Sequence, residues 1–158
     1  MAFDEGRVGF VDRGGAFRVL GAEDGLDGHT HSAIYALFES KDGVMWIGGS
    51  GGLSRVVDGR VITVNQQNGL PGNRVWAIVD DEDGDMWLSV DRGLVHLSRD
   101  EFAAATEGRT RRIQYKLYDT SDGLAGAPLY HQVDALRAQG IRSELPPAGH
   151  APKQRALV

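Results

Sequence analysis

Apolar residues in this chain come in short runs, broken by glycine-bearing turns, many of them with aspartate, asparagine or arginine beside the glycine. RVGFV (7–11) and AFRVL (16–20) read as two strands joined by Asp12-Arg13-Gly14-Gly15, a hairpin signal. SAIYALFE (32–39) alternates only partly, as an inner strand buried on both faces does. Val44–Gly48, Gly52–Val57 and Arg60–Val64 follow as three further strands. The same order then starts again with Arg74–Asp80, Asp85–Ser89 and Gly93–Leu97, and a fourth strand is predicted at Arg112–Tyr118. An insertion, SRDEFAAATEGRT (98–110), delays that last strand. Its alanine run predicts one helical turn capped by Ser98 or Asp100.

The second set of strands copies the first at a spacing of 41 residues. Asp42-Gly43 matches Asp83-Gly84, Met45-Trp46 matches Met86-Trp87, and Gly52-Leu53 matches Gly93-Leu94. The strands ahead of these landmarks keep the offset, Ile34-Tyr35-Ala36-Leu37 against Val75-Trp76-Ala77-Ile78. Asp24-Gly25-Leu26, Asn68-Gly69-Leu70 and Asp122-Gly123-Leu124 punctuate the ends of successive units. Four short antiparallel strands in about 41 residues is the size of one propeller blade. A meander or sandwich also has short strands, but its strands have no need to share a tryptophan at constant spacing. The expected fold is therefore all-β, a β-propeller fragment of four-stranded antiparallel blades. Residues 1–26 supply the last two strands of an incomplete blade, 27–70 one blade and 71–124 a second, and 125–158 an aborted blade start and loose tail. In that tail Asp134–Gln139 is long enough for a brief helix ending at Gly140.

Residues 68–97, NGLPGNRVWAIVDDEDGDMWLSVDRGLVHL, resemble the two-component regulator propeller repeat. That pattern is a GL turn, an inner strand, an acidic D-x-DG turn, a Trp strand and a GL strand. Residues 42–70 match a second copy and 6–26 the end of an earlier one. The resemblance implies a piece of a periplasmic sensor domain, set ahead of a membrane helix and a histidine kinase or other phosphorelay output. It also implies recognition of an extracellular ligand, often a carbohydrate breakdown product. The expected partners are the remaining blades of a parent protein, or other copies of the chain meeting through open blade faces, with an oligosaccharide as ligand.

Composition narrows the choice. With 158 residues, 41% hydrophobic and 25% charged, the chain has ordinary globular composition for one domain. A formal net charge of −5 argues against free nucleic acid or an anionic membrane surface as a partner. The absence of cysteine excludes disulfide and thiolate chemistry. The opening MAFDEGRVGF has neither a basic start nor an apolar run, and no stretch reaches the roughly 18 apolar residues of a membrane helix. The chain expressed alone is expected in the cytoplasm, and as part of the implied sensor in the periplasm.

Trp46 and Trp87 fall on second strands, where blades pack together, and each would bury on the order of 150–250 Å². With Leu53 and Leu94 they are expected in the blade core. Asp42-Gly43 and Asp83-Gly84 are expected as structural hairpin turns, since Gly tolerates the positive φ such turns need. The acidic run 80–85 invites a calcium reading, but with Gly84 at loop position 6, positions 1 and 12 fall on Val79 and Val90, which cannot ligate through side chains. Its copy carries Lys41. His29 and His31 could contribute to a metal site or form a solvated loop, and no third ligand stands near in sequence. His96 alternates with Val95 and Leu97 and reads as an ordinary strand histidine. No phosphate loop, nucleophile elbow or zinc motif is present, so neither a cofactor nor a metal is expected.

In an up-and-down blade, alternate turns share one end. The loop leading into each blade and the loop between its second and third strands therefore lie together, opposite the Asp-Gly turns. That face carries Gly28–His31, Ser50-Gly51, Pro71–Arg74 and Val90–Arg92. Loops on a rigid scaffold are where binding residues concentrate. The candidate ligand-binding residues are His29, His31, Asn73, Arg74, Trp76, Asp91 and Arg92. Arg and Asn suit hydroxyls and carboxylates, and an aromatic suits a sugar ring. The expected function is a non-enzymatic ligand-sensing module. The alternatives are a sugar-cleaving propeller, with Glu39 and Asp80 as the available inner-strand carboxylates, or a purely structural assembly unit.

Overall fold

The computed structural model describes residues 2–3, 7–11, 14–26 and 32–123. Their strands form three antiparallel sheets in chain order. The first contains β1 (Ala2–Phe3), β2 (Arg7–Val11) and β3 (Phe17–Leu20). The hairpin is where the alternation places it, but β1 adds a third, two-residue strand beside β2 that the sequence pattern does not announce. The second sheet is β4 (Ile34–Glu39), β5 (Met45–Gly49), β6 (Gly52–Val57) and β7 (Arg60–Val64). The third is β8 (Val75–Asp80), β9 (Met86–Val90), β10 (Gly93–Leu97) and β11 (Lys116–Tyr118). Both four-stranded sheets are simple meanders, as expected of propeller blades. The tail 125–158, with its expected helix at 134–139, lies outside the described residues.

Two apolar clusters hold the sheets face to face. Val8 and Leu20 of the first sheet meet Ile47 and Val61 of the second, with Leu26 between them. Trp46, Leu53 and Val64 on the other face of the second sheet meet Ile78, Met86, Leu88, Val95 and Leu97 of the third. The period of two along β5 sends Trp46 to one neighbour and Ile47 to the other. Leu26 and Leu70 each follow a short 3-10 turn closed by a left-handed glycine, and each is buried in one of these clusters. At Gly25-Leu26 and Gly69-Leu70 the Gly-Leu pair is therefore a turn followed by an apolar plug between sheets.

Three expectations need correction. The inner strand β4 is not buried on both faces: none of its residues is fully buried, and Leu37 and Glu39 are exposed. Its partial alternation reflects small and aromatic residues at a half-open position, not two apolar neighbours. The insertion forms a two-turn helix, α1 (Arg99–Thr106), longer than the single turn expected. Ser98 caps it by accepting the Glu101 amide. Phe102 anchors the helix, packing edge-on to Trp46 with ring centroids 4.8 Å apart. Finally, β11 starts at Lys116, not Arg112. The amides ahead of it are taken elsewhere: Ile113 N–H donates to Asn68 O and Gln114 N–H to Glu101 Oε2.

Candidate functional site

The two ends of each sheet differ as the meander topology requires. At one end Ser50, between β5 and β6, donates its amide to Ala33 O, and its hydroxyl accepts the Ala33 amide. At the same end of the third sheet Asp91, between β9 and β10, faces Arg74 and Trp76. The Asp-Gly turns stand at the other end. Gly43 and Gly84 take φ of 78° and 86°, and their amides donate to Ser40 O and Asp81 O. Both Asp-Gly pairs thus sit in tight turns with a left-handed glycine.

The loop end is built on two bulges. Ile34 pairs with Gly49 and Ala36 with Gly48, leaving Tyr35 as an extra residue in β4. Val75 pairs with Val90 and Ala77 with Ser89, leaving Trp76 as the extra residue in β8. A bulge bends its strand and re-aims the extra side chain. Here it turns both aromatics onto one another, with ring centroids 4.3 Å apart and planes tilted 30°. The Trp76 indole N–H donates to Asp91 Oδ1 at 3.1 Å. Arg74 Nη1 lies 3.9 Å from Asp91 Oδ2, a loose pair between exposed side chains.

Of the sequence-derived candidates, the fold brings Arg74, Trp76 and Asp91 together. Arg92 is exposed next to Asp91 on the same turn. Asn73 is also exposed, but its side-chain oxygen accepts the Gln66 amide and braces the turn before β8. His29 and His31 lie outside the described residues. Tyr35 belongs to the group and is not among the sequence-derived candidates. The available signal is its match to Trp76 at the 41-residue offset.

The Asp-Gly end carries a second arrangement. Trp46 Nε1 donates to Ser40 Oγ at 3.3 Å, and Trp87 Nε1 donates to Asp81 Oδ2 at 3.2 Å. Ser40 and Asp81 are themselves one repeat apart, so the two indoles occupy equivalent environments. The position facing each indole is also shared, Arg55 over Trp46 and His96 against Trp87. His96 is thus more than a strand histidine in its surroundings: its Nε2 lies 3.3 Å from Asp81 and 3.6 Å from Asp85. Trp46, Leu53 and Leu94 are buried, but Trp87 is only half-buried. Trp46 has Phe102 of α1 across it, whereas Trp87 stacks within its own sheet on Tyr118 and His96. Burial there pushes the Tyr118 phenol above its ordinary value. Of the two inner-strand carboxylates, Glu39 is exposed, while Asp80 accepts the Lys41 amide and pairs with Arg99.

Residues 28–51 and 69–92 match the family model described as two component regulator propeller. The matched segments begin one repeat apart, and each runs through an inner strand, an Asp-Gly turn and a Trp strand. Both segments are thus similar to the two component regulator propeller repeat. Among solved structures, the chain is similar to the extracellular domain of a putative hybrid two component system from B. thetaiotaomicron. That likeness has a TM-score of 0.57 at 19% identity and covers 80% of this chain but 16% of the other, so it establishes a shared fold. No curated protein matches the sequence. In the two copies the shared landmarks are structural: the Asp-Gly turn, the strand tryptophan and the Gly-Leu plug. The loop end, by contrast, differs between the two copies: Arg74 and Asp91 stand where Ala33 and Ser50 stand one repeat earlier. Among the described residues, no helix is long and apolar enough to cross a membrane.

Proposed function

We propose that this chain is a ligand-binding segment of an extracytoplasmic sensor propeller in a two-component system, and that it binds without catalysis. The observation that carries this reading is the stacked Tyr35–Trp76 pair, raised by matched bulges and flanked by Asp91 and Arg74. An aromatic platform edged by a carboxylate and a guanidinium suits a sugar ring, whose faces are apolar and whose rim is hydroxyl. The repeat family and the extracellular domain that shares the fold support a sensory setting. The chain spans 16% of the length of that structure, so the proposal concerns one sector of a larger sensing surface.

Calorimetric titration with a panel of neutral and acidic oligosaccharides tests it, with the mixture assayed for new reducing ends. Binding heat that disappears in Trp76→Ala, with no reducing ends formed, is the expected result. Binding unchanged in Trp76→Ala would overturn the site, and the appearance of cleaved sugar would overturn the non-catalytic assignment.

A further inference from the structure

Three short turns of the same build close successive units of the chain. Each is a 3-10 turn, Ala22–Asp24, Gln66–Asn68 and Thr120–Asp122, followed by a glycine with φ of 96°, 97° and 93° respectively. In each, the side chain of the last turn residue reaches back three positions. One of its oxygens accepts the backbone N–H of Gly21, Asn65 or Asp119 at 3.0, 3.1 and 3.0 Å. The accepting group is a carboxylate in Asp24 and Asp122 but an amide in Asn68. One position in one geometry thus takes either group.

Of the three asparagines in the chain, Asn68 alone precedes a glycine; Asn65 precedes Gln66 and Asn73 precedes Arg74. Gly69 has no Cβ, so its amide nitrogen is unhindered for attack on the neighbouring side-chain carbonyl. That attack forms a bond from Gly69 N to Asn68 Cγ. The Gly69 amide proton passes to the departing side-chain nitrogen, ammonia leaves, and a cyclic imide remains. Water then opens the ring. Breaking the new N–Cγ bond gives aspartate. Breaking the N–C bond of the original main chain gives isoaspartate, whose backbone is one carbon longer. In the folded turn both reacting groups are engaged: Gly69 N–H donates to Gln66 O at 3.0 Å, and Asn68 Oδ1 holds the Asn65 amide. Asn65 in turn caps the turn, its Oδ1 accepting Gln67 N–H at 2.9 Å. Cyclisation therefore requires the turn to open locally first.

We propose that Asn68 is a deamidation site held shut by its own turn, and that the aspartate it yields closes the same turn again. The hydrogen bond required of that product is the one Asp24 and Asp122 already make, and a charged acceptor strengthens it. Isoaspartate does not refit. Asn68 O accepts the Ile113 amide at 2.8 Å, and in isoaspartate that carbonyl leaves the main chain as a free carboxylate. The turn leads into β8, with Gln66 N–H held by Asn73 Oδ1. Deamidation therefore acts on the segment that carries Arg74 to the stacked Tyr35–Trp76 pair.

The experiment uses the full 158-residue chain. Trypsin, cutting after Arg60 and Arg74, releases all three asparagines in one peptide, 61–74, whose fragment masses locate the change from amide to acid. The chain is aged in mildly alkaline buffer, with and without enough urea to abolish its circular dichroism signal. In urea, Asn68 is expected to deamidate ahead of Asn65 and Asn73. Without urea it should react more slowly by about tenfold or more, since only the opened fraction reacts. Asn68→Asp should unfold thermally at the same temperature as the parent chain. Equal rates with and without urea would overturn protection by the turn, and no preference for Asn68 in urea would overturn the site. A lower unfolding temperature for Asn68→Asp would overturn the reclosure of the turn around the product.

Discussion

Trp76 and Asp91 are joined by an indole-to-carboxylate hydrogen bond of 3.1 Å across the third sheet. The bond ties a bulged inner-strand residue to the turn between β9 and β10, and it fixes the indole where it stacks on Tyr35. Two successive repeats therefore meet through their irregular residues at this end, while their regular residues meet through the core.

Removing the acceptor should loosen that platform without unfolding the protein. Asp91→Ala is expected to lower stability by about 1 kcal/mol or less, since the pair is exposed and a net hydrogen bond is worth about 0.5–1.5 kcal/mol. Asp91→Asn keeps an acceptor oxygen and should restore most of it. Urea titration followed by tryptophan fluorescence measures the first effect. The same titrations on a Trp76→Phe background should show no difference between the two Asp91 variants; a difference that persists would mean that Asp91 acts through another partner.

Much of this architecture is legible in the chain itself, because the repeat repeats its physics. The Asp-Gly turns, the Gly-Leu plugs and the tryptophan strands are each set by local requirements, and each recurs at one spacing. What the pattern does not reveal is set between units. The length of α1 depends on Phe102 reaching Trp46 of the preceding sheet. The late start of β11 depends on Asn68 and Glu101 taking the amides of Ile113 and Gln114. The bulges at Tyr35 and Trp76 arise in pairing registers that alternation does not encode. Aligning the copies column by column reveals more: Ser40 with Asp81, and Arg55 with His96, are matched pairs that serve the same indole position.

The two strand tryptophans should differ in their contribution despite their equivalent positions. Trp46 is 1% exposed and packed against Phe102, so Trp46→Ala is expected to cost about 3–5 kcal/mol, as emptying a large aromatic site usually does. Trp87 is half-buried, and Trp87→Ala should cost roughly half as much. Denaturant midpoints for the two variants measured under identical conditions check this. Equal losses would show that Trp87 is as deeply packed in solution as Trp46.

Acid should weaken the seam between the second and third sheets. The Ser40 hydroxyl hydrogen bond, and after it the Arg99 guanidinium, hold the Asp42 carboxyl below its ordinary value of 3.8. A carboxylate depressed on folding adds stability that is fully present above its unfolded pKa and is lost as pH falls through the folded one. The loss from this group therefore begins near pH 3.8 and continues below it. The side chain is about half exposed, so the effect is small and reduced by salt. Ser40→Ala should flatten this part of the stability profile, and Arg99→Gln should flatten it less. A profile unchanged by Ser40→Ala would exclude the hydroxyl as the main cause.

The turn between β9 and β10 should tolerate no side chain at Gly93. Its φ is 145°, and a Cβ there would stand 2.1 Å from Tyr118 O. Gly52, one repeat earlier, has φ of 119° and would place a Cβ 2.3 Å from Val64 O. In both sheets the last strand is pressed against this glycine, so any substitution must push β7 or β11 away as well as strain the backbone. Strain of the second kind alone costs on the order of 1–3 kcal/mol, and the displaced strand adds to it. Gly108, at φ of 72° after α1, has open space where its Cβ would go. Gly108→Ala should therefore cost about 1 kcal/mol, and Gly93→Ala at least twice that. Thermal unfolding of the two variants side by side checks the order. If Gly93→Ala unfolds at the same temperature as Gly108→Ala, β11 does not hold its close approach to the turn in solution.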